Sequence, residues 1–227
     1  MSDKIIETSL EVDLFFDKLI ADNVVIDLYI TDIPYPFDNQ NGTGRMNYIS
    51  GSDEMYERIT WDKLSEIFNR MFKLSKKGSR AYIFCNRDGL FETKDRLEKA
   101  GWTFRNILVW DKMKLGGGYH WRNAVEYILY VSNDKPKVLV QGAMNIFHYK
   151  KPTKKDSDVA IGYDVFGTSP KPHQIWTDIL KNGSAKDDVC CDPFAGTNPM
   201  KASLLLNEKL LENIAKAYTN VYLTEDI

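Results

Sequence analysis

The sequence first suggests chemistry where a strongly apolar run stops at an acidic residue. Residues 26–31 are mostly β-branched or apolar and predict a buried strand. Asp32 follows, and Pro34 and Pro36 then lie on either side of Tyr35. Because proline has no N–H and holds φ near roughly −65°, these prolines must end the strand. The sequence therefore predicts a stiff, exposed loop at the carboxyl end of the strand, which is where open α/β sheets bind ligands.

The loop after this strand offers groups that suit a planar amino group. The Asp32 carboxylate and the Ile33 carbonyl are hydrogen-bond acceptors, and Tyr35 provides a flat apolar face. The Ile33 carbonyl cannot be tied into a helix ahead of Pro34. An amino group attached to a ring would satisfy both acceptors while the ring stacks on Tyr35. A strand-ending turn without any chemistry has the same residue types, so that alternative stays open from these four residues alone.

A second strand end, later in the chain, has the features of a cofactor loop. Residues 188–192 predict a strand that ends at Asp192, and a tight turn containing Gly196 then opens a helix. An acidic residue at a strand tip, followed by a glycine turn and a helix, is how α/β folds bind nucleoside cofactors. A last predicted strand, residues 221–225, carries Glu225 at its tip, where an acid that binds a ribose would lie.

Helical and strand-like patterns alternate along the chain. Helices are predicted at residues 10–20, 61–74, 90–100, 175–180 and 201–206. Strands are predicted at residues 26–31, 81–85, 104–110, 126–131, 188–192 and 221–225. The Lys-Lys-Gly sequence at 76–78 is interpreted as the C-terminal end of the second helix. The alternation predicts an α/β fold with a mostly parallel sheet and right-handed crossovers.

Length and composition limit the kinds of protein this can be. The 227 residues, 43% of them hydrophobic, suffice for one α/β domain, residues 1–227, with a small inserted recognition element at about 133–168. The net charge of −2 gives no global positive field, so nucleic acid would be bound through a local patch. No run is apolar enough to span a membrane, and no signal peptide is recognisable at the N-terminus. These features predict a cytoplasmic protein without a membrane partner.

The cysteines are predicted to be structural. Cys85, Cys190 and Cys191 lie in or beside apolar, strand-like runs and have no metal-ligand spacing with the three histidines. We therefore expect reduced thiols in the core and no metal site.

Two basic segments are candidates for contact with nucleic acid. Residues 111–122 combine three consecutive glycines with lysines, an arginine and aromatic side chains, which can grip phosphates and stack on bases. A second group of lysines lies at 150–155. A long hairpin loop and a lysine-rich surface loop are the plainer interpretations. The candidate nucleic-acid-binding residues are Lys112, Lys114, Tyr119, Trp121, Arg122, Lys150 and Lys151.

Together these motifs resemble those of the amino-directed, S-adenosylmethionine-dependent DNA methyltransferases, in the group whose catalytic Asp-Pro-Pro-Tyr motif precedes the cofactor motif Asp-Pro-Phe-x-Gly-x-Gly. Residues 32–35 match the first motif and residues 192–196 match the second. Residues 104–112, 121–129 and 169–172 look like three further blocks in the order of the family. The resemblance covers nearly the whole chain. It implies a Rossmann-like sheet with helices on both faces and a permuted motif order.

The resemblance also implies a division of roles. A target base would rotate out of double-stranded DNA, stack on Tyr35, and present its exocyclic amine to Asp32 and the Ile33 carbonyl, without a covalent nucleophile. The implied catalytic residues are Asp32, Ile33, Pro34 and Tyr35. The implied residues for S-adenosylmethionine are Lys171, Pro172, Asp192, Pro193, Phe194, Ala195, Gly196 and Glu225. Aspartate rather than serine at position 32 favours adenine N6 as the target. The resemblance also implies a restriction-modification enzyme, and a homodimer is one expected assembly.

The chain departs from the family pattern at several positions. Ile33 replaces the first proline of the catalytic motif, and Asn198 replaces the second glycine of the cofactor motif. Glu7-Thr8 lies where relatives often have Gly-Asp, and Gly167-Thr168 lies where His-Pro is usual. We expect Asn198 to adopt the left-handed backbone conformation that a glycine would have there. The alternatives that stay open are an N4-cytosine DNA methyltransferase, an RNA adenine methyltransferase, and a non-catalytic nucleic-acid-binding relative.

Overall fold

The computed structural model describes residues 2–34, 36, 59–117, 120–152 and 170–221. Three predicted site residues, Tyr35, Tyr119 and Glu225, lie outside these described residues, and their roles stay predictions.

Six α-helices and eight strands form the described part of the chain, after a short 3-10 turn at Ser2–Lys4. The helices are α1 (Val12–Ala21), α2 (Trp61–Lys73), α3 (Leu90–Lys99), α4 (His173–Gly183), α5 (Pro199–Leu205) and α6 (Glu208–Asn213). The strands are β1 (Ile5–Thr8), β2 (Ile26–Asp32), β3 (Ser75–Cys85), β4 (Thr103–Asp111), β5 (Val125–Ser132), β6 (Ile146–His148), β7 (Val189–Asp192) and β8 (Lys216–Asn220).

The eight strands form one sheet in the order β1-β8-β7-β2-β3-β5-β4-β6. Every neighbouring pair is parallel except the two that involve β5, which runs antiparallel to both β3 and β4. The predicted mostly parallel sheet is therefore confirmed. Strands β3 and β4 are not neighbours, because β5 lies between them.

Helices cover both faces of the sheet, as predicted. On one face, Phe15, Phe68 and Leu97 bring α1, α2 and α3 into a single apolar cluster with the sheet. On the other face, Trp176 and Leu204 belong to a second cluster that includes α4, α5 and α6. In each helix the apolar residues recur at helical spacing and so form one face, and this face packs against the sheet. The two apolar clusters are therefore expected from the sequence.

Several predicted boundaries need correction. Residues 76–78 do not end a helix but lie in β3, which already begins at Ser75. The strand Lys216–Asn220 was not predicted, and the predicted strand at 221–225 lies outside the described residues apart from Val221. Strands β1 and β6 and helix α6 were not predicted. Strand β6 lies inside the expected insertion and joins the sheet beside β4.

The centre of the sheet contains a topological switch point. Strand β2 pairs with β3 on one side and with β7 on the other. The helix after β2 is α2, and the helix after β7 is α5, and these two helices lie on opposite faces. A crevice forms at the carboxyl ends of strands whose following helices diverge in this way. Within the part of the chain that the structure describes, no helix is long and apolar enough to cross a membrane.

Candidate active site

The two predicted motifs meet at this switch point. Asp32 is the last residue of β2 and Asp192 is the last residue of β7. These strands are parallel neighbours, with Tyr29 paired to Cys191. The two carboxyl groups are close enough that the charge of Asp32 acts to raise the pKa of Asp192. The structure therefore brings the candidate catalytic motif and the candidate cofactor motif together at one edge of the sheet.

The loop after β2 is anchored in the core by one side chain. Ile33 is only 2% exposed and belongs to the apolar cluster of α1, α2 and α3. Pro34, the next residue, is exposed. Isoleucine in place of the family's proline therefore gives the loop a buried anchor at this position.

Asp32 forms an ion pair with a buried lysine. Lys171 Nζ lies 2.5 Å from Asp32 Oδ2 and 3.4 Å from Glu126 Oε2. Lys112 Nζ lies 3.5 Å from the other oxygen of Glu126. Four charges of alternating sign thus run from the tip of β2 across to β5 and the loop after β4. We call this row, Asp32, Lys171, Glu126 and Lys112, the charge row.

The charge row keeps its buried lysine ionised. Burial lowers the pKa of Lys171, but the nearby carboxylates of Asp32 and Glu126 outweigh that effect, so the pKa is raised. The Lys171 ammonium group donates a hydrogen bond to Asp32 Oδ2. Lys171 was assigned to cofactor binding from the resemblance. The structure places its ammonium group against the catalytic motif instead, so a direct cofactor contact stays a prediction.

Glu126 was not recognised from the sequence as a site residue. It lies near the start of β5, in an otherwise apolar and aromatic run. A carboxylate in such a run was a usable signal, because charged residues in buried strands need a partner. Its partners, Lys171 and Lys112, could not be identified without knowing that β5 inserts into the sheet.

Asp192 is the most perturbed described acid of the site. Its side chain is fully buried, and burial raises its pKa to about 7. Weak contacts from the Thr31 hydroxyl, the Phe194 backbone N–H and the Trp176 indole act in the opposite direction. Phe194 N donates to Oδ1 at 3.3 Å, whereas Oδ2 has no well-formed hydrogen bond among the described residues. A buried carboxylate oxygen without such a bond, at a strand tip, suits a polar ligand group.

The turn after β7 is open where a cofactor would approach. Gly196 has φ +51°, and a Cβ built there would meet no atom within 4 Å. The turn is tied to the sheet because Ala195 N donates to Asn220 O at 3.0 Å. Asn198 has φ 52°, so the predicted left-handed conformation is confirmed. Its side chain is buried against β1 and β8 and hydrogen-bonds there to Glu7 and Thr219.

Of the remaining residues predicted for the cofactor, Pro193 and Phe194 lie in the same turn, and Pro172 lies at the start of α4. Pro172 is the N-cap of α4, directly after Lys171 in the chain. Pro193 and Phe194 lie between Asp192 and the open position of Gly196, and the Pro193 carbonyl accepts a hydrogen bond from Asn220. All described residues predicted for the cofactor therefore lie close to the tips of β2 and β7.

Lysines from two loops converge near the charge row. Partial burial lowers the pKa of Lys151. Four nearby charges also act on this pKa: Glu126 raises it, and Lys171, Lys112 and Lys114 lower it. The predicted lysines at 112, 114 and 151 therefore form one basic group beside the site rather than three separate surface charges.

The other described residues of the predicted nucleic-acid surface are exposed. Trp121 is 91% exposed, and the neighbouring Arg122 is also exposed and hydrogen-bonds to the Gly116 carbonyl. Lys150 is exposed directly after β6. The structure thus leaves them available for contact, which is compatible with the predicted role.

The cysteines are buried thiols, as predicted from their apolar surroundings. Burial is the main reason that the pKa of Cys85 rises to about 12, and the same effect acts on Cys190 and Cys191. Such thiols are not ionised near neutral pH and are poor nucleophiles.

Comparison with solved structures identifies the fold. The M1.HpyAVI–SAM complex is similar over 96% of this chain and 92% of that chain, with a TM-score of 0.67 and 17% sequence identity. A Thermus thermophilus protein assigned as a DNA modification methylase, complexed with S-adenosyl-L-methionine, is 18% identical, with a TM-score of 0.55, over 96% of this chain and 89% of that chain. PvuII DNA methyltransferase, which is cytosine-N4-specific, is 13% identical, with a TM-score of 0.57, over 87% and 75%. At these identities the likeness shows a Rossmann-like methyltransferase fold.

Sequence comparison identifies the family. No curated protein is similar enough in sequence to match the chain. The family model of the N6/N4 methyltransferases, described as DNA methylase, matches residues 26–211 and so includes both strand tips and the charge row. The chain therefore belongs to the N6/N4 family of DNA methylases.

Proposed function

We propose that this protein transfers a methyl group from S-adenosylmethionine to the N6 amine of adenine in double-stranded DNA. The observation that carries the proposal is the meeting of Asp32 and Asp192 at the tips of the neighbouring strands β2 and β7. One tip offers acceptors for an amine, and the other offers a loop for a nucleoside cofactor. The family match supports DNA as the substrate.

Two features of the turn after β7 suit S-adenosylmethionine: the open space at Gly196 and the buried carboxyl group of Asp192. When bound, S-adenosylmethionine supplies an electrophilic methyl group on a cationic sulfonium. Residues 192–196 would hold it, with Gly196 leaving space for close approach of the backbone. The buried Asp192 carboxyl, with one oxygen lacking a well-formed hydrogen bond among the described residues, is available for a polar group. Complexes of two fold neighbours with this cofactor support the assignment.

Asp32 would act on the target base as an oriented acceptor. Its carboxylate and the Ile33 carbonyl would accept the two hydrogens of the exocyclic amine, which directs the nitrogen lone pair toward the methyl group. Lys171 helps by holding the Asp32 carboxylate in place, since its Nζ lies 2.5 Å from Asp32 Oδ2. Tyr35 would stack on the base, which would recover about 1–3 kcal/mol of the cost of taking it out of the duplex.

The basic group would hold the phosphate backbone beside the site. Lys114 and Lys151 lie near Lys112 of the charge row, at the edge of the sheet where the target must enter. Phosphate contacts of this kind position the duplex without reading its sequence. The exposed Trp121 and Arg122 provide a stacking face and a fork of donors on the same loop.

Product analysis tests the choice of target. Unmodified duplex DNA is incubated with the protein and labelled cofactor, digested to nucleosides, and analysed by mass spectrometry, with a matched RNA substrate in parallel. We expect N6-methyladenine from the duplex, on the basis of aspartate at position 32. N4-methylcytosine alone would reverse the target assignment within the same family, as the fold shared with PvuII DNA methyltransferase allows. Methylation of the RNA alone would replace DNA as the substrate.

A further inference from the structure

Two departures from the family pattern meet in the structure. Asn198 occupies the position of the second glycine in the cofactor motif, and Glu7 lies where relatives often have Gly-Asp. The two residues are 191 positions apart in the chain, yet Asn198 Nδ2 donates a hydrogen bond to Glu7 Oε2 at 2.7 Å. The contact joins the cofactor turn after β7 to β1 at the edge of the sheet.

The contact is part of a hydrogen-bond network around Asn198. Its Nδ2 also donates to Thr219 Oγ1 at 3.1 Å, and its Oδ1 accepts from Lys201 N at 3.1 Å. Lys201 Nζ returns to Glu7 Oε2 at 3.0 Å. Asn198 is fully buried, so its side-chain amide has both its nitrogen and its oxygen bonded within the protein. We call Glu7, Asn198, Lys201 and Thr219 the asparagine clasp.

The asparagine clasp holds Asn198 in a backbone conformation that is unfavourable for most residues. With φ 52° and ψ 56°, Asn198 is in the left-handed region, which disfavours residues with a side chain. Glycine adopts it readily, and asparagine is among the more tolerant residues. Here the side chain that replaces glycine is bonded on both ends, and the bond to Glu7 is charge-assisted and therefore among the stronger kinds.

We propose that Glu7 is a positioning residue for the cofactor. By holding the Asn198 amide, it fixes the turn of residues 193–198 in the shape that a second glycine gives to relatives, and its effect on the cofactor passes through Asn198. The proposal rests on the proposed function for the cofactor and goes beyond it in assigning Glu7. It predicts that the need for Glu7 disappears when Asn198 becomes glycine.

A double-mutant cycle measured by ligand binding tests the proposal. Calorimetric titration with S-adenosylhomocysteine gives the Kd of the wild type, Glu7→Ala, Asn198→Gly and the double variant. We expect Glu7→Ala to weaken binding about tenfold in the wild-type background, as the loss of a charge-assisted hydrogen bond implies. In the Asn198→Gly background the same change should alter Kd by less than about twofold, since the hydrogen bond from Asn198 to Glu7 is already gone.

Further variants separate positioning from general destabilisation. Glu7→Gln keeps an oxygen that accepts from Asn198 Nδ2, so its Kd should stay within about threefold of the wild type. Glu7→Met keeps the length of the side chain but has no oxygen to accept, and it replaces Glu7→Ala in the cycle if the alanine variant does not fold. Glu212→Ala removes an exposed carboxylate from α6 and is the matched control for the change in charge. Thermal melting of each variant reports whether the fold itself has changed.

The outcomes are distinct. Equal effects of Glu7→Ala in both backgrounds, or no effect in either, overturn the positioning role and leave the proposed methyl transfer intact. Coupled effects in a protein that binds cofactor but transfers no methyl group to DNA support the role of Glu7 and overturn the proposed function. Absence of any cofactor binding by the wild type overturns both.

Discussion

Lys171 determines the electrostatics of the catalytic motif at the level of single residues. It lies between the carboxylates of Asp32 and Glu126, at 2.5 Å and 3.4 Å, and is itself buried. Removing one member of a buried charge group is costly, because the remaining charges lose their compensation. In this group the loss of Lys171 leaves two like charges facing each other, whereas the loss of Asp32 still leaves Lys171 paired with Glu126.

This asymmetry gives a stability prediction. We expect Lys171→Met to lower the free energy of unfolding by about 2 kcal/mol at pH 8, below the usual cost for a fully buried pair because both carboxylates are partly exposed. Urea unfolding at pH 8 measures the loss.

Two variants control this prediction. Glu126→Gln combined with Lys171→Met should regain part of the lost stability, because one of the two facing charges is gone. Lys181→Met, in an exposed position of α4, should have little effect on the free energy of unfolding. Equal losses for Lys171→Met with and without Glu126→Gln would contradict the charge row as an energetic unit.

Asp192 gives a second prediction, on pH dependence. Because burial raises its folded pKa to about 7, the folded state holds a proton there that the unfolded state releases from about pH 4 upward. Stability contributed by the protonated form is therefore lost as the pH rises toward 7, by on the order of 4 kcal/mol in total. The Asp192→Asn variant has no ionisable group at this position, so this part of the pH dependence of stability is absent from it.

Thermal melting between pH 4.5 and 8 checks the sign. The melting temperature of the wild type should fall relative to that of Asp192→Asn as the pH rises through this range. The Asp192→Asn variant should also bind S-adenosylhomocysteine more weakly, since it loses the carboxylate at the strand tip. Parallel melting curves across the whole range would show that Asp192 is ionised in the folded protein at low pH.

At the level of elements, the loops after β4 and β6 carry the lysines that are predicted to contact the DNA backbone. The loop after β4 carries Lys112 and Lys114, and the segment after β6 carries Lys151. Because β6 pairs with β4 in parallel, the carboxyl ends of both strands lie at the same edge of the sheet, and their lysines converge. This edge is also the one that holds Asp32.

We expect Lys114→Ala with Lys151→Ala to weaken duplex binding and to lower the salt dependence of log K by about 2, one unit for each lost phosphate contact. Fluorescence anisotropy with a labelled duplex at several salt concentrations measures it. Lys181→Ala with Lys209→Ala changes the same charge at exposed positions of α4 and α6 and should leave the slope unchanged. Equal slopes for the two double variants would move the DNA contact away from this edge.

The elements also show how far the sequence alone could predict the structure. Long helices and strands with clear periodicity were predicted within one or two residues at most ends, for example α2 and α3. Strands β1 and β6 have four and three residues, too few for a period-2 pattern to be recognised. Gly78, with φ +89° inside β3, has the same sequence signal as a helix end, which explains that error.

The candidate site was predictable where one segment determined it. Both strand tips could be recognised locally, because an acid followed by a proline ends a strand. The charge row and the asparagine clasp could not, because each joins residues from segments far apart in the chain. Recognising them required the sheet order, in particular the antiparallel β5, and strand direction has no reliable local signal.

At the level of the whole molecule, the sheet separates two tasks at its switch point. Strand β7 and its turn would hold the cofactor, and strand β2 and its loop would hold the target amine. The net charge of −2 leaves DNA binding to the local basic group rather than to the overall field. The cytoplasmic location, the homodimer and the recognition role of residues 133–168 stay predictions.

This separation of tasks is tested most directly by comparing methyl transfer with cofactor binding in Asp32→Ala. Single-turnover transfer of labelled methyl to unmodified duplex DNA is measured for the wild type and the variant, and calorimetry gives the Kd for S-adenosylhomocysteine of each. We expect transfer by the wild type, and a loss of at least about a hundredfold in the variant with Kd changed less than about threefold, because Asp32 orients the amine and does not hold the cofactor. Near-normal transfer by Asp32→Ala, in a folded protein that binds cofactor, would contradict the central claim.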